Sequence, residues 1–327
     1  GPNASGKTSV LEALYFLGRG SSFRAARAES AVQFDAGGAT LFGKLGVGSV
    51  GRVGLEISRA EGMSIRVDGA AGNRADLARA LPVQVLDPAS HELVSGAPAG
   101  RREFLDWGVF HVEHGFLSSW QRYRRALQQR NAALKTRNAA AAWAWDESLC
   151  VEGAQIDDQR RVFLEALEQA ARPIAGGLLD GELELDYQRG WSDGESLADA
   201  LVAARERDLM MGSSQVGPHR ADFRISLRTR RARDTVSRGQ EKLLAAALTL
   251  AQIELVAGGL SRPLVLLVDE PGADLDRNHL SRLMDAVAAV PAQKFVTALE
   301  PESFPLPSSA QVFHVELRDG QAAILSR

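Results

Sequence analysis

The sequence opens on Gly1-Pro2-Asn3-Ala4-Ser5-Gly6-Lys7-Thr8, with the spacing G-x-x-x-x-G-K-T. A glycine-rich turn of this kind wraps backbone N–H groups around a β-phosphate, sends Lys7 to the β- and γ-phosphates and offers the Thr8 hydroxyl to Mg²⁺. The expected nucleotide-binding segment is Gly1–Ser9, and the positive end of a following helix would face the phosphates. Far along the chain, Asp269-Glu270 closes an apolar run. Two carboxylates at the tip of a buried strand suit a ligand site in an open α/β sheet. Asp269 would hold Mg²⁺ opposite Thr8, and Glu270 would orient or deprotonate an attacking water; the alternative is a turn that caps the next element. Asp274-Leu275-Asp276 follows at once. Upstream, Ser237-Arg238-Gly239-Gln240 puts a hydroxyl, an unobstructed backbone N–H and a helix start in one place, all favourable to an anion. Taken alone, Ser237 reads first as an N-cap with a nearby acceptor.

These groups need elements to carry them. A helix is expected over 9–17, ending before Gly18, and a turn of this type is expected to follow a strand, which a sequence beginning at Gly1 does not contain. Alternating residues over 41–67 predict a small antiparallel region, and 79–86 reads as a buried strand bounded by Asp87-Pro88. Helical spacing dominates from Gly100, with helices expected at 162–171 and 197–211 and a Gly/Asp-rich break over 176–194. An Ala/Leu-rich helix over 239–255 precedes the strand 263–268, whose unbroken apolar character suits a parallel strand buried on both faces. A second such strand is expected at 294–298. The end is a hairpin, 311–317 with 321–325, turned at Asp319-Gly320. No apolar heptad persists for the several repeats of a long coiled coil.

With 327 residues, 45% of them hydrophobic, there is room for a substantial core or for a domain with an insertion. The single Cys150 excludes an intramolecular disulfide and fits a reducing compartment. No apolar run is long enough for a membrane span, so the expected location is the cytoplasm, with no membrane partner. The formal net charge of −3 excludes a uniformly basic surface, but two stretches depart from it. Residues 119–137 carry Arg122, Arg124, Arg125, Arg130, Lys135 and Arg137 without one acid, and 220–238 carries seven arginines against Asp222 and Asp234. The first run is either the solvated side of a helix or a phosphate-binding face. Its lack of acids for i,i+4 pairing favours Arg122, Arg124, Arg125 and Arg130 as contacts to duplex DNA. The cluster Arg228, Arg230, Arg231 and Arg233 could face nucleotide, DNA or a partner. His219 is either a γ-phosphate sensor or a packed histidine in a turn.

The order of the phosphate loop, Ser-x-Gly-Gln, the hydrophobic strand with Asp-Glu, and Asp-Leu-Asp resembles the ATP-binding-cassette ATPases. Among these the chain is similar to the RecF family, bacterial ATPases of gap repair that look like SMC heads without the coiled coil. The more specific matches are Arg101-Arg102-Glu103-Phe104-Leu105-Asp106-Trp107 and Gly217-Pro218-His219-Arg220, supported by Gly20–Arg24 and Tyr123–Ala132. The resemblance implies an α/β ABC-type P-loop ATPase head with an antiparallel β region and an inserted helical lobe. The ATPase parts would be residues 1–111, with the Q-loop, and 213–327, with the signature, Walker B and D-loop segments; the lobe would be 112–212. It further implies ATP and Mg²⁺ held between two heads of an ATP-dependent homodimer, with Ser237, Arg238, Gly239 and Gln240 acting on the partner's nucleotide. Gln84 would sit at the Q-loop position, touching metal or water. Asp274 and Asp276 would form the D-loop, and Thr297 would be the switch residue. The implied partners are gapped or other double-stranded DNA with RecR and RecO, in support of RecA loading, and the implied activity is weak, DNA-dependent ATP hydrolysis. Ala4 stands where the family often has Gly, Glu270 where Asp is common, and Ala221 where the family carries an acid that Asp222 then follows.

A transporter ATPase subunit is disfavoured by the long, basic helical interval between Thr8 and Ser237, and an SMC-type structural protein by the missing heptads. A binding module that scarcely hydrolyses ATP is the remaining alternative.

Overall fold

The computed structural model describes residues 6–46, 51–260, 264–298, 310–318 and 321–326. The chain divides into two compact units, Gly1–Ser90 with Leu260–Arg327, and His91–Gly259.

The first unit is organised on strand Leu264–Val268, in which every residue is buried. It lies between Val83–Leu86 and Ala292–Val296 in a three-stranded parallel sheet, so its apolar run meets protein on both faces. The register aligns Leu86, Val268 and Val296. The residues that follow, Asp87, Asp269 and Thr297, therefore emerge together at the carboxyl edge of the sheet. Helix Lys7–Arg19 buries Leu11, Tyr15, Phe16 and Leu17 in a core shared with Val83, Val265 and Leu267 of the sheet. The same core takes in Val53, Leu55, Ile57 and Ile65 from an antiparallel sheet of Gly38–Leu45, Gly51–Ser58, Gly62–Val67 and Ala70–Ala71. Strict alternation of burial along Gly51–Ser58 is what turns one face of that sheet inward.

Two local expectations are corrected. The first helix does not stop before Gly18. It runs to Arg19 and ends where Gly20, at φ 62°, donates its N–H to the Phe16 carbonyl at 2.8 Å, the left-handed stop that glycine favours. Gly18 serves close approach instead, since a Cβ there would lie 2.4 Å from Val83 Cγ2 and 2.5 Å from the Leu81 carbonyl oxygen. The strand expected over 79–86 is only Val83–Leu86. Arg74–Ala80 is a helix, because Asn73 and Asp76 form a reciprocal capping box ahead of good helix formers. The terminal hairpin pairs Phe313–Arg318 with Gln321–Ser326, and Asp319-Gly320 lies outside the described residues.

The second unit packs helices Pro98–Val112, Phe116–Lys135, Asp146–Leu178 and Arg238–Ala257 with a three-stranded antiparallel sheet of Leu183–Gln188, Asp222–Leu227 and Arg230–Arg231. Its bounds extend beyond 112–212 on both sides. Helix Arg238–Ala257 is buried all round from Glu241 to Ile253, which accounts for its Ala/Leu composition. The helix expected at 162–171 is the middle of one 33-residue helix that carries Pro173 within it. The helix expected at 197–211 is two, Leu197–Ala203 and Arg205–Met211. The Gly/Asp-rich break contains strand Leu183–Gln188. No helix among the described residues is long and apolar enough to cross a membrane.

Candidate functional site

At the start of helix Lys7–Arg19, Gly6 adopts φ 95° and no acid occupies the first turn. The positive end of the helix is therefore not offset by an acid of its own first turn. Lys7 is buried, Thr8 half-buried and Ser9 exposed; Gly1, Pro2, Asn3, Ala4 and Ser5 lie outside the described residues.

Thr8 meets Asp269 across 261 positions of sequence. Its Oγ1 donates to Asp269 Oδ2 at 3.0 Å and to Oδ1 at 3.2 Å. Thr297 Oγ1 donates to Asp269 Oδ1 at 2.6 Å and accepts the Glu270 N–H at 3.1 Å. Asp269, buried at 4% exposure, thus faces two hydroxyls rather than a cationic side chain. The oxygens fit a magnesium ion. Adjacent ligands of an octahedron with 2.0–2.1 Å bonds are about 2.9 Å apart, close to the Thr8–Asp269 separation, and hydroxyl and carboxylate are the hard donors that Mg²⁺ takes.

Glu270 follows with φ 46°, and Asp274 has φ 64°. Non-glycine residues in this region cost about 1–3 kcal/mol and persist where surrounding contacts fix them; at Glu270 the N–H bond to Thr297 is such a contact. Asp276 caps helix Arg277–Ala289, accepting from the N–H groups of Asn278 and His279, both at 2.9 Å. These bonds, with the His279 ring at 2.5 Å, hold the Asp276 carboxyl below the usual carboxylate range.

Gln84 is not brought to this cluster. Its Oε1 accepts from Arg19 Nη2 at 3.3 Å, and Arg19 ends the helix that Lys7 begins, about 16 Å from Thr8 at 1.5 Å per residue. Gln84 pairs with Leu266, three residues before Asp269. The metal or water contact expected of Gln84 is corrected accordingly, because side-chain reach cannot span that interval. The residue on this strand that does arrive level with Asp269 is Asp87, which sequence reading passed over as a turn marker.

In the second unit Ser237 caps helix Arg238–Ala257 by a reciprocal box. Its Oγ accepts the Gln240 N–H at 3.4 Å and its N–H donates to Gln240 Oε1 at 2.9 Å. Ser237, Arg238 and Gln240 are exposed and Gly239 is half-buried.

The basic helix Phe116–Lys135 separates its arginines. Arg122, Arg124 and Arg125 are exposed; Arg122 Nη2 donates to Glu152 Oε2 at 2.9 Å, and Arg124 stacks 4.9 Å from the centre of the Trp120 ring. Arg130 is fully buried. It donates from Nε to Asp146 at 2.8 Å and from Nη1 to Asp208 at 2.6 Å and Ser214 Oγ at 2.8 Å. The expected DNA contact through Arg130 is therefore corrected: its charge is consumed by acids distant in sequence. The acid-free run is in fact supplied with carboxylates from outside its own helix.

The two runs that carried the resemblance most specifically are fastened together. Arg101 forms a bidentate pair with Asp222 at 2.7 and 3.1 Å, Arg102 donates to the Ala221 carbonyl at 2.7 Å, and Arg160 joins Asp106 to the Pro218 carbonyl. His219 is packed between Tyr123 Oη at 2.7 Å and the Ser214 carbonyl at 3.1 Å. Burial lowers its pKa to about 4, so near neutral pH the ring donates to Ser214 and accepts from Tyr123.

A buried parallel strand that delivers its acid to a hydroxyl at the start of the phosphate-loop helix, beside an antiparallel sheet, defines a P-loop ATPase head of the ABC and SMC kind. The model of the RecF/RecN/SMC N terminal domain matches residues 1–321. The DNA replication and repair protein RecF of Pseudomonas fluorescens Pf-5 is 42% identical over 326 residues, covering 97% of this chain and 89% of that protein. The chain therefore belongs to the RecF family of RecF/RecN/SMC proteins. In structure it is similar to the recombination mediator protein RecF-ATP in the RecFOR pathway, with a TM-score of 0.86, 24% identity, and coverage of 99% of this chain and 90% of that one. The Smc head domain from Pyrococcus furiosus shares the fold at a TM-score of 0.55 and 14% identity, covering 99% and 88% of the two chains.

Proposed function

We propose that this chain is a cytoplasmic, ATP-dependent DNA-binding protein of recombinational gap repair, whose heads pair on DNA around ATP and part after slow hydrolysis. The observation that carries this reading is the meeting of Thr8, Asp269 and Thr297 at one sheet edge. Gly1–Ser9 wraps the triphosphate, Lys7 neutralises its β- and γ-phosphates, and Thr8 and Asp269 hold Mg²⁺, which supplies charge neutralisation for phosphoryl transfer. Glu270 orients and deprotonates the attacking water, and Thr297, bonded to both Asp269 and the Glu270 backbone, senses the nucleotide. Ser237, Arg238, Gly239 and Gln240 close over the partner's ATP, and Asp274 and Asp276 form the D-loop. Residues 1–111 and 213–327 serve as the ATPase, and 112–212 is the lobe inserted into it. Arg122, Arg124 and Arg125 contact duplex phosphates. The repair role, the gapped substrate, and RecR and RecO as partners in RecA loading are carried over from the named relatives.

ATP binding and turnover in wild type and Asp269→Asn test the proposal. The variant is expected to keep nucleotide affinity in EDTA and to lose turnover with Mg²⁺; wild-type turnover in Asp269→Asn would contradict it. Glu270→Gln is expected to accumulate ATP-bound dimers.

A further inference from the structure

The antiparallel sheet of the first unit gives one face to the core and leaves the other open. Alternation along its strands puts Phe42, Lys44, Arg52, Glu56 and Arg66 on the outer face, all of them exposed. The register sets their neighbours. Phe42, Gly54 and Arg66 form one row across three strands, and Lys44 stands opposite Arg52 in the next row.

Phe42 is 60% exposed. A Cβ on Gly54 would lie 3.9 Å from Phe42 Cδ2, so the ring leans across the bare backbone of the glycine and leaves its other side to solvent. The cations around it are not spent on acids: none of Lys44, Arg52 and Arg66 forms an ion pair among the described residues. Asp68 is engaged with the Arg52 backbone N–H at 2.8 Å, and Glu56 lies in the row beyond Phe42. Like charges directly opposite on paired strands repel, so the fold itself gains nothing from Lys44 facing Arg52. A polyanion laid over the face removes that repulsion.

The exposed ring decides which polyanion. Cations that track a backbone beside an aromatic side chain on which a base stacks are the parts of a single-strand binding surface. Duplex DNA shows only base edges in its grooves, so it would leave Phe42 without a partner. An acidic peptide would satisfy the cations and leave the ring uncovered.

We propose that the outer face of this sheet binds single-stranded DNA, with a base stacked on Phe42 and the flanking phosphates on Lys44, Arg52 and Arg66. The site belongs to the first unit, whereas the duplex contacts proposed for Arg122, Arg124 and Arg125 belong to the second. It rests on the nucleic-acid role proposed above for the choice of ligand and adds a second surface with a different substrate, the unpaired strand that a gap contains.

Fluorescence anisotropy of the full chain with a labelled oligothymidylate, and separately with a blunt duplex, tests this. Phe42→Ala is expected to weaken oligothymidylate binding by about 10-fold, within the range for removing one stacked aromatic, with an unchanged salt slope because no charge is lost. Phe42→Tyr, which keeps the ring, should bind as wild type does. Lys44→Ala and Arg66→Ala should each lower the slope of log K against log salt by about 0.7 for the single strand. Duplex affinity of Phe42→Ala should stay within about two-fold of wild type, since duplex bases are closed to stacking. Far-UV circular dichroism establishes that each variant is folded. Unchanged oligothymidylate affinity in folded Phe42→Ala overturns the assignment, as does an equal loss on the blunt duplex. Polyglutamate that displaces the oligothymidylate equally well from wild type and Phe42→Ala would also overturn it, and would make the face a docking surface for acidic protein. If wild type binds neither DNA, the nucleic-acid role itself fails; loss of single-strand binding with duplex binding intact strikes this face alone.

Discussion

Arg130→Ala separates packing from DNA contact at a position where the sequence suggested the latter. In the folded chain Arg130 is shielded from solvent, and so is Asp208, which it meets at 2.6 Å. Removal of the guanidinium leaves Asp146 with Arg205 at 3.0 Å, but leaves Asp208, among the described residues, only the Gln215 N–H at 2.8 Å. Ser214 Oγ loses an acceptor role, and the stacking of Arg130 on Trp143 at 5.1 Å disappears. Stranding one member of a buried ion pair costs about 3–5 kcal/mol, a large share of the roughly 5–15 kcal/mol that holds a typical domain. Urea unfolding followed by far-UV circular dichroism should show the midpoint fall sharply with an unchanged m-value. Asp208→Asn in the same chain should return part of the loss, since it neutralises the stranded charge and keeps the acceptor for Gln215. A loss of stability below about 0.5 kcal/mol, the range of ordinary surface substitutions, would refute this account of Arg130. So would a stable variant whose duplex binding loses salt dependence, which would return the residue to the DNA-binding face.

The exposed arginines should behave in the opposite way. Arg124→Ala and Arg125→Ala are expected to leave stability within about 0.5 kcal/mol, while each lowers the slope of log K against log salt by about 0.9 for duplex DNA; unchanged slopes in salt titrations would remove this helix from the interface. His219 predicts a pH effect of definite sign. With its folded pKa at about 4, below the ordinary imidazole value of 6.5, the unfolded chain takes up the proton first, so stability falls as pH drops through that window, by at most about 3 kcal/mol. In His219→Gln the decline between those pH values should be shallower, as measured by urea midpoints at several pH values. Gly18→Val should destabilise by about 1–3 kcal/mol through collision with Val83 and the Leu81 carbonyl; a thermal midpoint equal to wild type would contradict the close approach.

Where the sequence was legible, one physical signal dominated. The unbroken apolar run before Asp269 has no stable setting except a strand covered on both faces, so its acid had to emerge at a sheet edge. The Ala/Leu stretch after Ser237 required burial all round in the same way. What escaped depended on residues distant in sequence. Arg130 looked like a surface charge because its partners Asp146 and Asp208 stand on other helices. Gln84 was assigned by motif position, whereas its orientation is set by Arg19. Strand Leu183–Gln188 was hidden by the glycines and acids flanking it, although Leu183, Leu185 and Tyr187 alternate as a strand should. Helix Arg74–Ala80 could have been found from Asn73 and Asp76 at capping-box spacing. Asp87 carried no local signal, and only the parallel register reveals it as the neighbour of Asp269.

Under the proposed function each nucleotide is completed by two chains, one holding it through Lys7 and Thr8 and the other closing over it through Ser237 and Gly239. Turnover in a mixture of Lys7→Met and Ser237→Arg proteins tests this most directly, with gapped duplex present and each variant also assayed alone. Two inactive preparations are expected to regain ATP hydrolysis on mixing, because the mixed pair restores one intact composite site. A mixture that stays inactive while wild type hydrolyses ATP, or wild-type turnover per chain that is constant across dilution to the monomer, would contradict it.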